Sequence, residues 1–165
     1  MVYLRPLAHD EAELHRALRL RALHDAPDSF GETRSHAEAQ PASYWEDLTR
    51  QVTGSGGQTM VLACEGDATV GTVYGLLDRE HADRGRVGGM WVDPAWRGHG
   101  IGQALLRGVF AWARSRGFRR VGLWAPRHRP AAMGLYTGAG FRHTGERRPL
   151  PSNAALWIVA MEVEL

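Results

Sequence analysis

The segment Val92-Asp93-Pro94-Ala95-Trp96-Arg97-Gly98-His99-Gly100-Ile101-Gly102 constrains this chain more than any other. A β-branched run stops at Asp93-Pro94, and alternating glycines then lead into a long helical pattern. A strand, a glycine turn and a helix in that order make an anion site. The first-turn N–H groups have no intrahelical acceptor, the helix dipole is positive there, and glycine lets a ligand approach the backbone closely. Two nucleotide-binding loops fail on residue type. The Walker-type loop needs Gly-Lys-Ser/Thr, and the 20 basic residues are all Arg. The dinucleotide fingerprint G-x-G-x-x-G fits poorly with Gly98, Gly100 and Gly102. Arg119 and Arg120 also stand where an acid should meet the ribose.

Elsewhere the pattern alternates strand and helix. Val2–Arg5 reads as a strand, and Asp10 as the cap of a helix carrying Leu14, Ala17, Leu18 and Ala22. Ala26–Gly31 is a turn, residues 42–52 a second helix, and 53–57 a flexible loop. Met60–Glu65 and Thr69–Leu77 form a hairpin across Gly66-Asp67. After a charged loop at 79–85, Val87–Val92 is the strand before the glycine turn. Gly100–Arg116 is the long helix, with a core stripe at Ile101, Leu105, Gly108 and Trp112. Val121–Ala125 is a strand, Pro130–Thr137 a helix, and Phe141–Glu146 and Leu156–Val163 the closing strands around a Pro-rich loop at 147–153. The expectation is a single α+β domain over residues 1–165 with a mixed sheet.

Composition excludes several classes. Hydrophobic residues at 44% and charged residues at 23% fit a globular domain. No apolar run is long enough for a membrane span, and the N-terminus lacks a secretory h-region, so a cytoplasmic location is expected. One cysteine, Cys64, cannot form an internal disulfide, and no Cys/His cluster has zinc spacing, so no metal is expected. Charge is uneven. Between Arg97 and Arg148 there are eleven Arg and one acid, Glu146, while the remainder has nine Arg and seventeen acids. That asymmetry suggests an anionic ligand on one side and a cationic one on the other.

Beyond these physical readings, the segment resembles the GNAT superfamily of N-acetyltransferases, whose signature is Arg/Gln-x-x-Gly-x-Gly/Ala between a strand and a helix. Arg97, Gly100 and Gly102 match it. The resemblance continues through Leu105-Leu106, Gly117-Phe118, Val121, Ala132, Leu135-Tyr136 and Gly140-Phe141. It implies a mostly antiparallel mixed sheet of about six to seven strands flanked by about four helices, with two parallel neighbours splayed to admit a cofactor. That cofactor would be acetyl-CoA, with coenzyme A as product. The resemblance implies a pyrophosphate site on Gly98, His99, Gly100, Ile101, Gly102 and Gln103, with Arg97 beside it. The pantetheine arm would run along Met90, Trp91 and Val92.

The same resemblance places Tyr136 near the thioester sulfur. A phenol of pKa about 10 protonating a thiolate of pKa about 8.5 is uphill by about 2 kcal/mol, so hydrogen-bonding the nascent thiolate is the role expected first. Two positions depart from the family. Arg129 stands where many members have a cofactor-contacting Asn, and Trp124 where members that acetylate protein N-termini often have a Glu. Val87–Val92 carries no carboxylate either. An ammonium at pH 7 costs about 4.6 kcal/mol to deprotonate, so a base is needed. Candidates are Asp78, Glu80, His81 and Asp83, or Glu32 just after Phe30, directly or through water.

The implied activity is direct acetyl transfer to a primary amine of a small molecule or peptide, without a covalent enzyme intermediate. The acidic N-terminal portion would suit a cationic amine, and a homodimer is open. Two rivals stand beside it: an acyl-CoA-binding regulator of the same fold, and an Arg-rich nucleic-acid-binding module. The second lacks a nucleic-acid motif, and neither a nucleic acid nor a membrane is the expected partner.

Overall fold

A computed structural model describes residues 1–54 and 56–165; of the expected loop at 53–57, Ser55 lies outside the described residues. The elements are β1 (Val2–Pro6), α1 (Ala12–Asp25), α2 (Arg34–Glu38), α3 (Ala42–Thr53), β2 (Thr59–Glu65), β3 (Ala68–Leu77), β4 (Arg84–Val92), α4 (Ile101–Ser115), β5 (Arg120–Pro126), α5 (Pro130–Gly138), β6 (Arg142–Leu150) and β7 (Asn153–Glu164). They build a seven-stranded sheet of order β1-β2-β3-β4-β5-β7-β6. Every neighbouring pair is antiparallel except β4 and β5. A parallel pair needs a crossover, and α4 supplies it.

Period-two alternation explains why β2 is buried on both faces. Met60, Leu62 and Cys64 pack with Leu18 of α1 and Val52 of α3, while Val61 and Ala63 point into the core beneath α4. In α4 the buried residues are Ile101, Leu105, Leu106, Val109 and Ala113. Gly108 and Trp112 of the expected stripe are only half-buried, because the helix turns its i, i+4 ridge of Ile101, Leu105 and Val109 squarely onto the sheet. Gly117, at φ +78°, ends the helix, and the Phe118 N–H returns to the Ala113 carbonyl in the manner of a Schellman cap.

Several expected boundaries move for identifiable reasons. α1 does not begin on Asp10, which is exposed. Glu11 precedes the helix instead, and its carboxylate accepts from the Ala8 N–H and from the Arg5 fork. The short α2, absent from the sequence reading, is held by Thr33 Oγ1 accepting from the His36 N–H. The expected loop at 147–153 is mostly strand. β6 runs through Pro149 to Leu150, and only Pro151-Ser152 turns the chain. Proline is tolerated there because β6 is an edge strand.

Candidate active site

β4 and β5 pair over three positions only: Arg84 with Arg120, Gly85 with Val121 and Arg86 with Gly122. Beyond them the strands part, leaving a wedge bounded by Val87–Val92 and Leu123–Pro126. An ion-pair network clamps its closed end. Arg84 donates to Asp78 Oδ2 and Glu162 Oε2, each at 2.6 Å, and Arg120 donates to Glu162 Oε1 at 2.9 Å and Asp83 Oδ2 at 2.6 Å. This network explains why β4 begins at charged Arg84 rather than at Val87, where the apolar pattern starts. Two sequence candidates for the base, Asp78 and Asp83, belong to the clamp. Burial alone would raise the Asp78 pKa, but the hydrogen bonds from Arg84 and from the Glu80 and His81 N–H groups leave it below the ordinary carboxylate range. Asp83 is lowered by its hydrogen bond to Arg120.

Next along β4 the ladder with β3 slips, since Gly88 pairs with Tyr74 and Trp91 with Thr72. Gly89 and Met90 therefore oppose Val73 alone, which is a β-bulge. Gly89 sits at φ +55°, and a Cβ there would lie 2.4 Å from Tyr74 Cδ2, so glycine is required twice over. The bulge sets which way the candidate pantetheine-binding residues face. Met90 and Val92 pack toward α4, whereas Trp91 turns to the opposite face and donates through Nε1 to Asp25 Oδ2 at 3.0 Å.

At the end of the wedge, Gly98 (φ +79°) and Gly100 (φ +78°) carry the loop into α4. Ala104 N–H reaches the Gly100 carbonyl, but among the described residues the N–H groups from Gly98 to Gln103 meet no protein acceptor. These are the donors an anion would use. A Cβ at Gly102 would meet Leu135 Cδ2 at 2.9 Å, so this glycine lets α5 close against α4. The exposed side chains of Arg97 and His99 bond back to neighbouring backbone and to α1. Arg97 Nε donates to the Val92 carbonyl at 3.0 Å, and its other arm pairs with Asp25. His99 Nδ1 folds back to within 3.0 Å of the Arg97 carbonyl. Asp25 thus ties α1 to both Trp91 and Arg97.

Tyr136, on α5, is buried with its ring edge-on to Phe141 at 5.9 Å. Its hydroxyl has no hydrogen-bond partner among the described residues, and burial raises its pKa, so it stays a protonated donor. Arg129 occupies the N-cap position of α5 without a side-chain capping bond. Its neighbour His128, which no sequence motif marks, has both ring nitrogens buried and without a hydrogen-bond partner among the described residues.

On the sheet face carrying α1 and α3, a cleft of about 660 Å³ opens beside Gly88 and Gly89. Phe30 and Glu32 line it together with Asp78 and Glu80; His81 does not. Glu32 accepts from Arg19 Nε at 2.9 Å, and the Arg19 guanidinium lies over Phe30, 4.9 Å from the ring centre. Tyr74 forms the inner wall. Behind it, fully buried His15 contacts the Tyr74 hydroxyl through Nε2 and Thr49 Oγ1 through Nδ1. Burial pushes His15 down to about 4 and Tyr74 up to about 12. No sequence signal marks this chain, because its members come from α1, α3 and β3.

Comparison with known proteins matches residues 19–141 to the model of the acetyltransferase (GNAT) family. Rat N-acetyltransferase 8B is 34% identical over 107 residues, covering 62% of this chain and 48% of the relative. The chain therefore spans about half the length of that relative. An aminoglycoside N(6')-acetyltransferase type 1 from Stenotrophomonas maltophilia is 31% identical over 120 residues, covering 66% of this chain and 78% of that one. Among solved structures, a GNAT-family acetyltransferase from Streptococcus pneumoniae superposes over the whole of both chains with a TM-score of 0.82 at 20% identity. A Salmonella typhimurium protein solved with its cofactor acetyl-CoA gives 0.78 at 17% identity, over 100% of this chain and 94% of that one.

Proposed function

Because the chain belongs to the acetyltransferase (GNAT) family, we propose that it transfers an acetyl group from acetyl-CoA directly to a primary amine held in the cleft beside Gly88 and Gly89. The observation that carries this reading is the wedge: two parallel strands that part after three pairs and open toward unpaired N–H groups at the start of α4. The residues present fit the cofactor. Gly98 to Gln103 would hold its pyrophosphate, and the edge of Met90–Val92 left free by β5 would bind its pantetheine arm as an added strand does. Once bound, acetyl-CoA supplies an activated thioester.

The remaining work belongs to the protein's own groups. Gly88 and Gly89 line the cleft on β4, the strand that also edges the wedge, so an amine held there lies beside the cofactor's path. Holding both reactants in one cleft removes the entropy cost of their meeting. Glu32 takes the amine's proton, directly or through water. It faces the cleft with one arginine on it, whereas Asp78 is engaged by Arg84 and two backbone donors. Tyr136 donates a hydrogen bond to the sulfur as negative charge develops there.

The Arg-rich half offers little to nucleic acid, since its charges are dispersed. Arg97 pairs with Asp25, Arg120 with Asp83 and Glu162, and Arg148 stacks on Trp124. Thermal melting separates the two readings. At about a hundredfold over its Kd, acetyl-CoA should stabilise by about 2.7 kcal/mol, and duplex DNA at physiological salt much less. The opposite ranking removes the proposal. Free-thiol release from acetyl-CoA in the presence of amines then distinguishes an enzyme from a protein that only binds the cofactor.

A further inference from the structure

The acceptor cleft is not acidic, although the N-terminal half of the sequence is. Its carboxylates Glu32 and Asp78 are each matched by an arginine, Arg19 and Arg84. Left over on the same walls are Arg79, Arg86 and Arg148, against Glu80 alone. Arg86 is the informative one. It lies on β4 two residues before Gly88, where the period of a strand puts both on the cleft face about 7 Å apart. It is half-buried, and among the described residues it makes neither a hydrogen bond nor an ion pair. Burial is the main influence holding it below the ordinary guanidinium value; attraction to Asp78 and Glu80 opposes that shift, and repulsion from Arg148 and Arg79 adds to it.

The geometry of the opposite wall agrees. Arg148, from β6, has its guanidinium over the ring of Trp124 at 3.9 Å, which fixes it in the cleft by cation–π attraction. Trp124 shares this face because its neighbours Leu123 and Ala125 point the other way, into the core beneath α4. Half-buried Arg86 has no ion pair of its own among the described residues, and with exposed Arg148 across the cleft the two guanidinium groups are complementary to a carboxylate or phosphonate, which accepts paired N–H bonds.

Resting on the acetyl-transfer reading above, the geometry points to an acceptor that carries an anionic group beside its amine, held by Arg86 and Arg148 while the amine is presented at Gly88. A compact amino acid or aminoalkyl phosphonate has the right chemistry and span. A polyamine has the wrong charge for this pair.

The test is thiol release from acetyl-CoA with matched acceptors: amino acids against their primary amides, aminoalkyl phosphonates against the parent alkylamines, and spermidine. At least one anionic member should exceed its neutral partner in kcat/KM by tenfold or more, mainly through KM. The carboxylate and phosphonate arms identify which anion is preferred. Arg86→Gln and Arg148→Gln should each narrow that ratio several-fold, while Arg107→Gln, which removes a charge from the exposed face of α4, should leave it unchanged. Preference for amides, alkylamines or spermidine overturns the inference and keeps acetyl transfer. A preference unmoved by Arg86→Gln overturns it too, as does an absence of turnover with every anionic amine. If acetyl-CoA also fails to raise the Tm, the parent reading falls with it.

Discussion

His15 Nδ1 lies 2.9 Å from Thr49 Oγ1 while its Nε2 meets the Tyr74 hydroxyl, so both nitrogens of a fully buried imidazole are satisfied inside the protein. A neutral ring donates at one nitrogen and accepts at the other, which suits two hydroxyl partners. Protonation would turn the accepting nitrogen into a second donor and bury a charge.

The pH dependence of stability follows from that arrangement. His15 titrates near 4 in the folded protein against 6.5 unfolded, so the unfolded chain binds more protons between those values. Stability is fully present above about pH 6.5 and falls as pH drops toward 4, by on the order of 3 kcal/mol. Denaturant unfolding at several pH values should show a shallower slope in His15→Gln than in the wild type. Equal slopes would mean the ring is charged in the folded state.

Gly100 tests the pyrophosphate site. Its φ of +78° costs an L-residue about 1–2 kcal/mol, more for a β-branched one, yet a Cβ there meets nothing closer than Gln103 Oε1 at 3.9 Å. Gly100→Val should therefore fold with a modestly lower Tm and lose the stabilisation by acetyl-CoA. A folded variant with normal acetyl-CoA affinity would place the pyrophosphate elsewhere.

Tyr136→Phe keeps the ring against Phe141 and removes the hydroxyl. If that hydroxyl stabilises the departing thiolate, kcat should fall by about one to three decades with little change in acetyl-CoA affinity. Because burial raises its pKa, the Tyr136 titration should not appear in a profile from pH 6 to 9. Full kcat in the variant would reduce Tyr136 to a packing residue.

Glu32→Gln preserves a hydrogen bond for Arg19 but cannot accept a proton. Its rate should climb about tenfold per pH unit as free amine accumulates, while the wild type levels off. Parallel profiles at pH 7 to 10 would assign the proton to another group.

Much of this protein is legible one residue at a time. Local spacing locates the hairpin at Gly66-Asp67, the α4 ridge of Ile101 and Leu105, and the glycine turn, because turns and helix starts depend on residues a few positions apart. The family resemblance likewise follows residues 91–146 in linear order. What the sequence determined, then, was the order of the main elements other than α2, and the glycine turn that opens α4.

Tertiary structure decided which charges remain available. Asp78 reads as a candidate base until Arg84 folds across it, and Arg97 reads as a residue beside the pyrophosphate until Asp25, 72 positions away, engages its guanidinium. Tyr74, His15 and Thr49 form one buried chain only because α1 and α3 lie over β3. Arg86 and Arg148 converge only because β4 and β6 present the same sheet face to one cleft. A side chain's charge state and partner depend on distance and desolvation in space, and neither is encoded in local periodicity.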